Sequence, residues 1–355
     1  LKGGVDTDAP KDPAFEVMRC LGCGAKTGHE TLTAAMRDAT AAAIALGADA
    51  RLMPPEGMNE DAAVLPVPES GEMVQSLDVI SEIVSDPFIL GRIAATHAMS
   101  DIYAANAVPV WAMASVTLAA ARADIQQSHL TQLMAGGLVA LSEAGAQLVG
   151  GHTGESSALG GGYAVTGWRE APPLMPDMSE EIALLLTKPL GSGVIMAAHM
   201  KLAARGEWVT EATHHMARGN GSAARLLAAH RPVMTDVTGF GLARHAMNLA
   251  ERCGAAGAEI SLRTLPLMTG ALACLEGGHR SSLHDANVAS VRMIGDAAAS
   301  FRAGILFDPQ TSGGLLVALP IAAAEEICTA LASDGETAAI IGRLRATGPG
   351  LSLVE

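Results

Sequence analysis

The stretch DVISEIVSDPFILGRIAATHAMSDIYA, residues 78–104, decides the fold class. It begins in MVQSLDVI (73–80), which reads as a strand, and passes through SDPF into GRIAATHAMSDIYAAN (91–106), which reads as a helix. A strand feeding a helix points to a mixed α/β architecture, α+β in arrangement. One aspartate stands near each end of the step, Asp78 and Asp101, and both lie in apolar surroundings.

The same reading extends outward. HETLTAAMRDATAAAIALG (29–47) is an Ala-rich amphipathic helix, and DAAVLPV (61–67) a strand joined by PESGE to the next. Downstream, 110–119 reads as a strand and 123–145 as a helix. AQLVGGH then turns on its Gly pair, and GGYAVTGW (161–168) is a strand. The three prolines and mixed charge of REAPPLMPDMSEE (169–181) mark a linker. Beyond it IALLL (182–186) is a strand, with helices around 197–204 and 221–230. MTDVTGFGLARHAMNLA (234–250) runs from a strand through a Gly-rich turn into a helix. FDPQTSGGLLVALP (307–320) is a loop feeding a buried strand, IAAAEEICTALAS a helix, and AAIIGRL a last strand. The organisation expected is a flexible arm over 1–18, an N-terminal domain over 19–172 and a C-terminal domain over 173–355.

Composition excludes several classes of function. Of 355 residues 49% are hydrophobic, enough for a large core, and the net charge is −14 with no basic run longer than two residues. Phosphate-backbone binding needs clustered Lys and Arg, so a nucleic-acid partner is not expected. No apolar run approaches the roughly 20 residues that span a bilayer, so no membrane partner is expected either. The polar N-terminus lacks a signal peptide, and five sparse cysteines do not make a disulfide framework; both point to the cytoplasm. The chain starts with Leu1 rather than Met, which is compatible with processing or with one part of a longer polypeptide.

Four aspartates, Asp61, Asp78, Asp101 and Asp236, lie in apolar contexts with few cations near them in sequence. A buried carboxylate must be paired, hydrogen-bonded or bound to metal, and hard oxygen ligands without a cationic partner suit Mg²⁺ on a polyphosphate. Asp236 could equally cap a helix. The turns LVGGHTG, KPLGSG, DVTGFG and PQTSGG could cradle phosphate, although neither a Walker nor a GxGxxG pattern is present. His97 shares a helix face with Asp101 and reads first as a core or capping histidine; His152 is a turn or site residue. Cys20 and Cys23 admit three readings. Zinc would need two further ligands, and no second CxxC occurs. A redox pair would need a strand–helix junction. A single working thiol, Cys23, would have Lys26 three residues on to stabilise its thiolate.

LGCGAKTG, EDAAV, DVISEIVSDPFILGRIAATHAMSDIYA, LVGGHTG, LTKPLGSG, MTDVTGFGLARH and FDPQTSGGLL occur in this order over about residues 19–345. Together they resemble the selenophosphate synthetase (selenide, water dikinase) family. The resemblance implies the two-domain aminoimidazole ribonucleotide synthetase-like fold, with N-terminal halves forming a shared β-barrel across a homodimer. It implies that ATP, selenide and water give selenophosphate, AMP and phosphate. By motif position it makes Cys23 and Lys26 the catalytic pair, and Asp61, Asp78, Asp101 and Asp236 the ligands of several Mg²⁺ ions. Lys26, Asp78, Asp101, Gly150, Gly151, His152 and Thr153 would contact ATP, and K⁺ is a further candidate ion. Some relatives are fused to a flavin-dependent redox domain, so such an association is a candidate here. Departures from the family pattern are His97 in place of Asn, AlaAsnAlaVal at 105–108, GlyGluSerSerAla at 154–158, and Glu60 in place of the first of two Asp. Two alternatives stay open beside this reading: a related small-molecule kinase of the same superfamily, and a nucleotide-binding regulatory domain of a redox protein.

Overall fold

The computed structural model describes residues 27–54, 62–294 and 299–355. The first half is built on a four-stranded sheet. Its strands are β1 (Glu72–Ser81), β2 (Val108–Ala119), β3 (Gln147–Ser156) and β4 (Gly160–Arg169), in the order β1-β4-β2-β3. β2 and β3 run parallel; the other pairs are antiparallel. Burial along β1 alternates strictly, as a half-covered strand requires. Val74, Ser76, Asp78 and Ile80 face helix α2 (Pro87–Ala104), while Met73, Leu77 and Val79 lie on the open face.

α2 starts four residues earlier than its apolar pattern suggests. Asp86 caps it, accepting the N–H groups of Phe88 and Ile89 at 2.9 and 3.1 Å, and Pro87 occupies the first turn, where a missing N–H costs nothing. α2 packs on α3 (Ala123–Ala144), and α3 carries α1 (His29–Ala45) on its far side. The α2–α3 contact is backbone on backbone. A Cβ at Gly91 would sit 1.8 Å from the carbonyl oxygen of Leu133, and one at Gly136 would sit 1.9 Å from that of Phe88.

The second half holds a seven-stranded sheet of order β6-β9-β5-β10-β7-β11-β8. Its strands are β5 (Ile182–Leu186), β6 (Val233–Asp236), β7 (Gly257–Ser261), β8 (Met293–Ile294), β9 (Leu315–Pro320), β10 (Ala339–Arg345) and β11 (Gly350–Val354). β5 is buried throughout, and so reads as a continuous apolar run. One face of the sheet, through Ala183, Leu185, Val317 and Leu319, joins the core of the first half. The other, through Ile182, Leu184 and Leu186, packs under α4 (Ser192–Met200) and α7 (Gly241–Arg252). α5 (Gly206–Ala217) and α6 (Gly221–Leu227) lie at the joint between halves, where α5 meets α2. The chain is completed by α8 (Ala271–Glu276), α9 (His284–Ala289) and α10 (Ile321–Ser333).

Several expectations need correction. Residues 62–67 are not in a strand: no pairing partner meets them among the described residues, and Val64 is 96% exposed. The Gly150–Gly151 pair is not a turn, since β3 runs straight through it. The glycines are there for closeness, because a Cβ at Gly151 would lie 2.4 Å from the Ala114 carbonyl on β2. The helix expected at 197–204 is α4, which begins at Ser192, and the separate α5 follows it. β10 is not the last strand; β11 follows and pairs parallel with β7. Among the described residues no helix is long and apolar enough to cross a membrane.

Candidate active site

β1, α2 and β6 bring three aspartates together from both halves of the chain. Asp78 projects from β1 toward α2. Asp101 lies in the last turn of α2 and accepts a hydrogen bond from the Ser76 hydroxyl. Asp236 ends β6 and is 4% exposed. It is not a helix cap: α7 begins at Gly241 after Phe240, and one Asp236 carboxylate oxygen, Oδ2, is buried without a hydrogen-bond partner.

The three acids press on one another. Burial first, then the Asp101 charge, pushes Asp78 up to about 6. Burial and the same Asp101 charge push Asp236 up to about 7, against a hydrogen bond from Ser100 that favours its ionised form. None of the three forms an ion pair with Lys or Arg among the described residues. An unpaired, mutually repelling carboxylate set is what a divalent cation would relieve, and the orphaned oxygen of Asp236 is a free donor for it. Among the described residues no group of three or more His, Cys, Asp or Glu side chains is set to hold an ion unaided. What suits Mg²⁺ here is the chemistry of the donors, hard carboxylate oxygens of which one or two would hold the ion with phosphate and water oxygens completing its shell.

The other sequence-derived candidates fall elsewhere. Cys20, Cys23, Lys26 and Asp61 lie outside the described residues. Gly150, Gly151, His152 and Thr153 are on β3, at the opposite edge of the sheet from the β1 strand that carries Asp78. Gly151 shares a row across the sheet with Ala114, Tyr163 and Asp78, which at one strand spacing per step puts it about 14 Å from Asp78. The backbone N–H of Thr27, the residue after Lys26, reaches the carbonyl of Thr153 at 3.4 Å. His152 is exposed.

Around the acids is a set of groups that the sequence reading passed over. Lys188 is buried, its ammonium donating to the carbonyls of Arg218 and Ser312; burial, then the Arg218 charge, pulls it down to about 7. Its position in LLLTKP, a cation inside an apolar run, was a legible signal. Asn220, also buried, donates to Ser100 Oγ and the Gly313 carbonyl, both at 2.9 Å. His245 on α7 accepts the Thr238 N–H at 3.2 Å and so fastens the loop after Asp236; burial drops it to about 4. His97 is neither a cap nor a simple core residue: its Nδ1 accepts the Ser312 N–H at 3.3 Å.

Comparison with known proteins agrees with this architecture. Residues 59–168 match the N-terminal domain of AIR synthase related proteins, and residues 180–352 match the C-terminal domain. A selenide, water dikinase of Geobacter metallireducens is 37% identical over 335 residues, covering 92% of this chain and 94% of that protein. Among solved structures, thiamine-monophosphate kinase of Stenotrophomonas maltophilia superposes with a TM-score of 0.66 at 17% identity, covering 90% of this chain and 95% of that one. The E. coli hydrogenase maturation protein HypE gives 0.66 at 18% identity, covering 92% and 94%. At such identities the two structures establish the fold alone.

Proposed function

The chain belongs to the selenide, water dikinase family, and from that premise we propose that it makes selenophosphate, AMP and orthophosphate from ATP, selenide and water. The observation that carries this to the site is the convergence of Asp78, Asp101 and Asp236, none of which forms an ion pair among the described residues. Removing both terminal phosphates of ATP concentrates negative charge that has to be neutralised at several oxygens. With Asp61, these aspartates hold Mg²⁺, which supplies that neutralisation when bound. Dividing the ligands between the two halves fixes the triphosphate at their junction and excludes other poses.

Cys23 and Lys26 supply the remaining chemistry. Hydroselenide is already a strong nucleophile and needs delivery rather than activation. Cys23 stands at the point of delivery, forming no bond to selenium and undergoing no change of oxidation state, and Lys26 stabilises charge on the transferred phosphoryl group. The Thr27–Thr153 contact supports this, because it ties the residue after Lys26 to the strand whose Gly150–Thr153 segment contacts the nucleotide.

The acting unit is a homodimer. The open face of the four-stranded sheet exposes Met73, Leu77, Val79 and Met113, apolar side chains that a second copy covers. The chain works in the cytoplasm, where sparse thiols stay reduced, with K⁺ as an accompanying ion and a redox domain as a candidate neighbour.

The test is ³¹P NMR of the products formed from ATP, Mg²⁺ and anaerobic selenide. A phosphorus resonance coupled to selenium, with AMP as the final nucleotide, is expected. ADP as the end product, or turnover indifferent to selenide, would replace this reading with that of a small-molecule kinase.

A further inference from the structure

A loop in the second half connects two of the acidic residues. Ser312 is buried and has a φ of +51°, a left-handed conformation that a serine adopts only when its surroundings hold it there. Both of its backbone polar groups are taken, each by a different half of the chain. Its N–H goes to His97 Nδ1 on α2 at 3.3 Å, and its carbonyl accepts from Lys188 Nζ at 2.9 Å. Gly313 accepts from Asn220, which also holds Ser100. The carbonyl of Gly314 accepts the N–H of Val237 at 2.9 Å.

His97 and Ser100 are the α2 neighbours of Asp101, and Val237 is the neighbour of Asp236. Residues 312–314 thus form a strap with one end bonded beside Asp101 and the other beside Asp236. The strap has no slack. A Cβ at Gly313 would lie 2.0 Å from the Val237 carbonyl, and one at Gly314 would lie 2.5 Å from the Lys188 backbone nitrogen.

We propose that His97 and Lys188 are positioning residues that grip Ser312 from opposite sides and thereby set the spacing of Asp101 and Asp236, two carboxylates that would hold a divalent cation. The inference rests on the functional reading above and adds to it two residues that touch no substrate. Accepting an N–H through Nδ1 fixes the neutral His97 as its Nε2–H tautomer. The part His97 plays is that of an acceptor at the Nδ1 position, and asparagine offers a carbonyl oxygen at nearly the same place. Leucine fills the volume and offers none.

The experiment measures Mn²⁺ binding by electron paramagnetic resonance in the presence of ATP, together with amide hydrogen exchange over residues 311–315. His97→Leu is expected to weaken Mn²⁺ binding about tenfold or more and to speed exchange across the strap. His97→Asn is expected to restore both to within about threefold of the parent chain. Should the leucine variant fail to fold, Lys188→Met, which releases the other side of Ser312, carries the same expectation. Parent-like Mn²⁺ binding and strap exchange in folded His97→Leu and Lys188→Met overturn the inference and leave the proposed activity standing. Failure of the parent chain itself to bind Mn²⁺ with ATP overturns both.

Discussion

The buried carboxylate of Asp308 accepts the backbone N–H of Gly193 at 3.1 Å and so closes the first turn of α4. Gln310 completes the closure, taking the N–H groups of Gly191 and Ser192 through Oε1 and donating to Asp308 through Nε2. Burial pushes Asp308 up to about 7 against these bonds, so between about pH 4 and 7 the folded chain holds a proton that the unfolded chain has released. Its contribution to stability is present at low pH and fades as pH rises through that window. Asp308→Asn removes the dependence. The gap between variant and parent in urea denaturation is expected to shift in the variant's favour by up to about 3 kcal/mol between pH 4.5 and 8. A gap independent of pH would contradict it.

Gly91→Ala drives a methyl into the Leu133 carbonyl, against backbone that cannot rotate away. A loss of about 3 kcal/mol is expected in equilibrium denaturation. Gly145→Ala, at the left-handed C-cap of α3 with open space around it, is expected to cost only about 1 kcal/mol.

Asp236→Asn should separate stability from activity. Replacing a buried carboxylate repelled by Asp101 raises the thermal midpoint of the metal-free protein, by several degrees at pH 8. The same change removes the charge proposed to hold Mg²⁺, and selenide-dependent AMP formation is expected to fall by about 100-fold or more. A variant that is both less stable and fully active would contradict the role given to this residue.

Leu77→Arg places a charge midway along the edge strand β1 on the open sheet face, where Leu77 is 63% exposed. Sedimentation velocity is expected to show a monomer at concentrations where the parent sediments as the proposed dimer. Secondary structure should be unchanged, since surface substitutions seldom move stability by more than about 0.5 kcal/mol.

Cys23→Ser and Lys26→Ala should each abolish selenide-dependent AMP formation while leaving far-ultraviolet circular dichroism as in the parent. Full turnover by both would remove these residues from the mechanism.

Local pattern made much of the fold legible. α1 and α3 end within two residues of their apolar periodicity, and β1, β4 and β5 follow theirs closely. What failed was non-local. The Gly150–Gly151 pair looks like a turn until β2 is seen to run parallel beside it, and parallel pairing leaves no nearby trace in sequence. The helical start at Asp86–Pro87 was legible but passed over. At the site, Asp78, Asp101 and Asp236 stood out because acids in apolar contexts demand an explanation. Asn220 and Ser312 did not, because they act through a backbone carbonyl and a left-handed backbone, neither of which composition reveals.

Because α2 and α3 meet backbone to backbone, no side chain lies between them at Gly91 and Gly136 to deform under load. Asp101 is therefore mounted on an anvil. A shift of Asp101 relative to α3 would have to move one helix backbone against another, so the place of this acid is set by main chain rather than by side-chain packing.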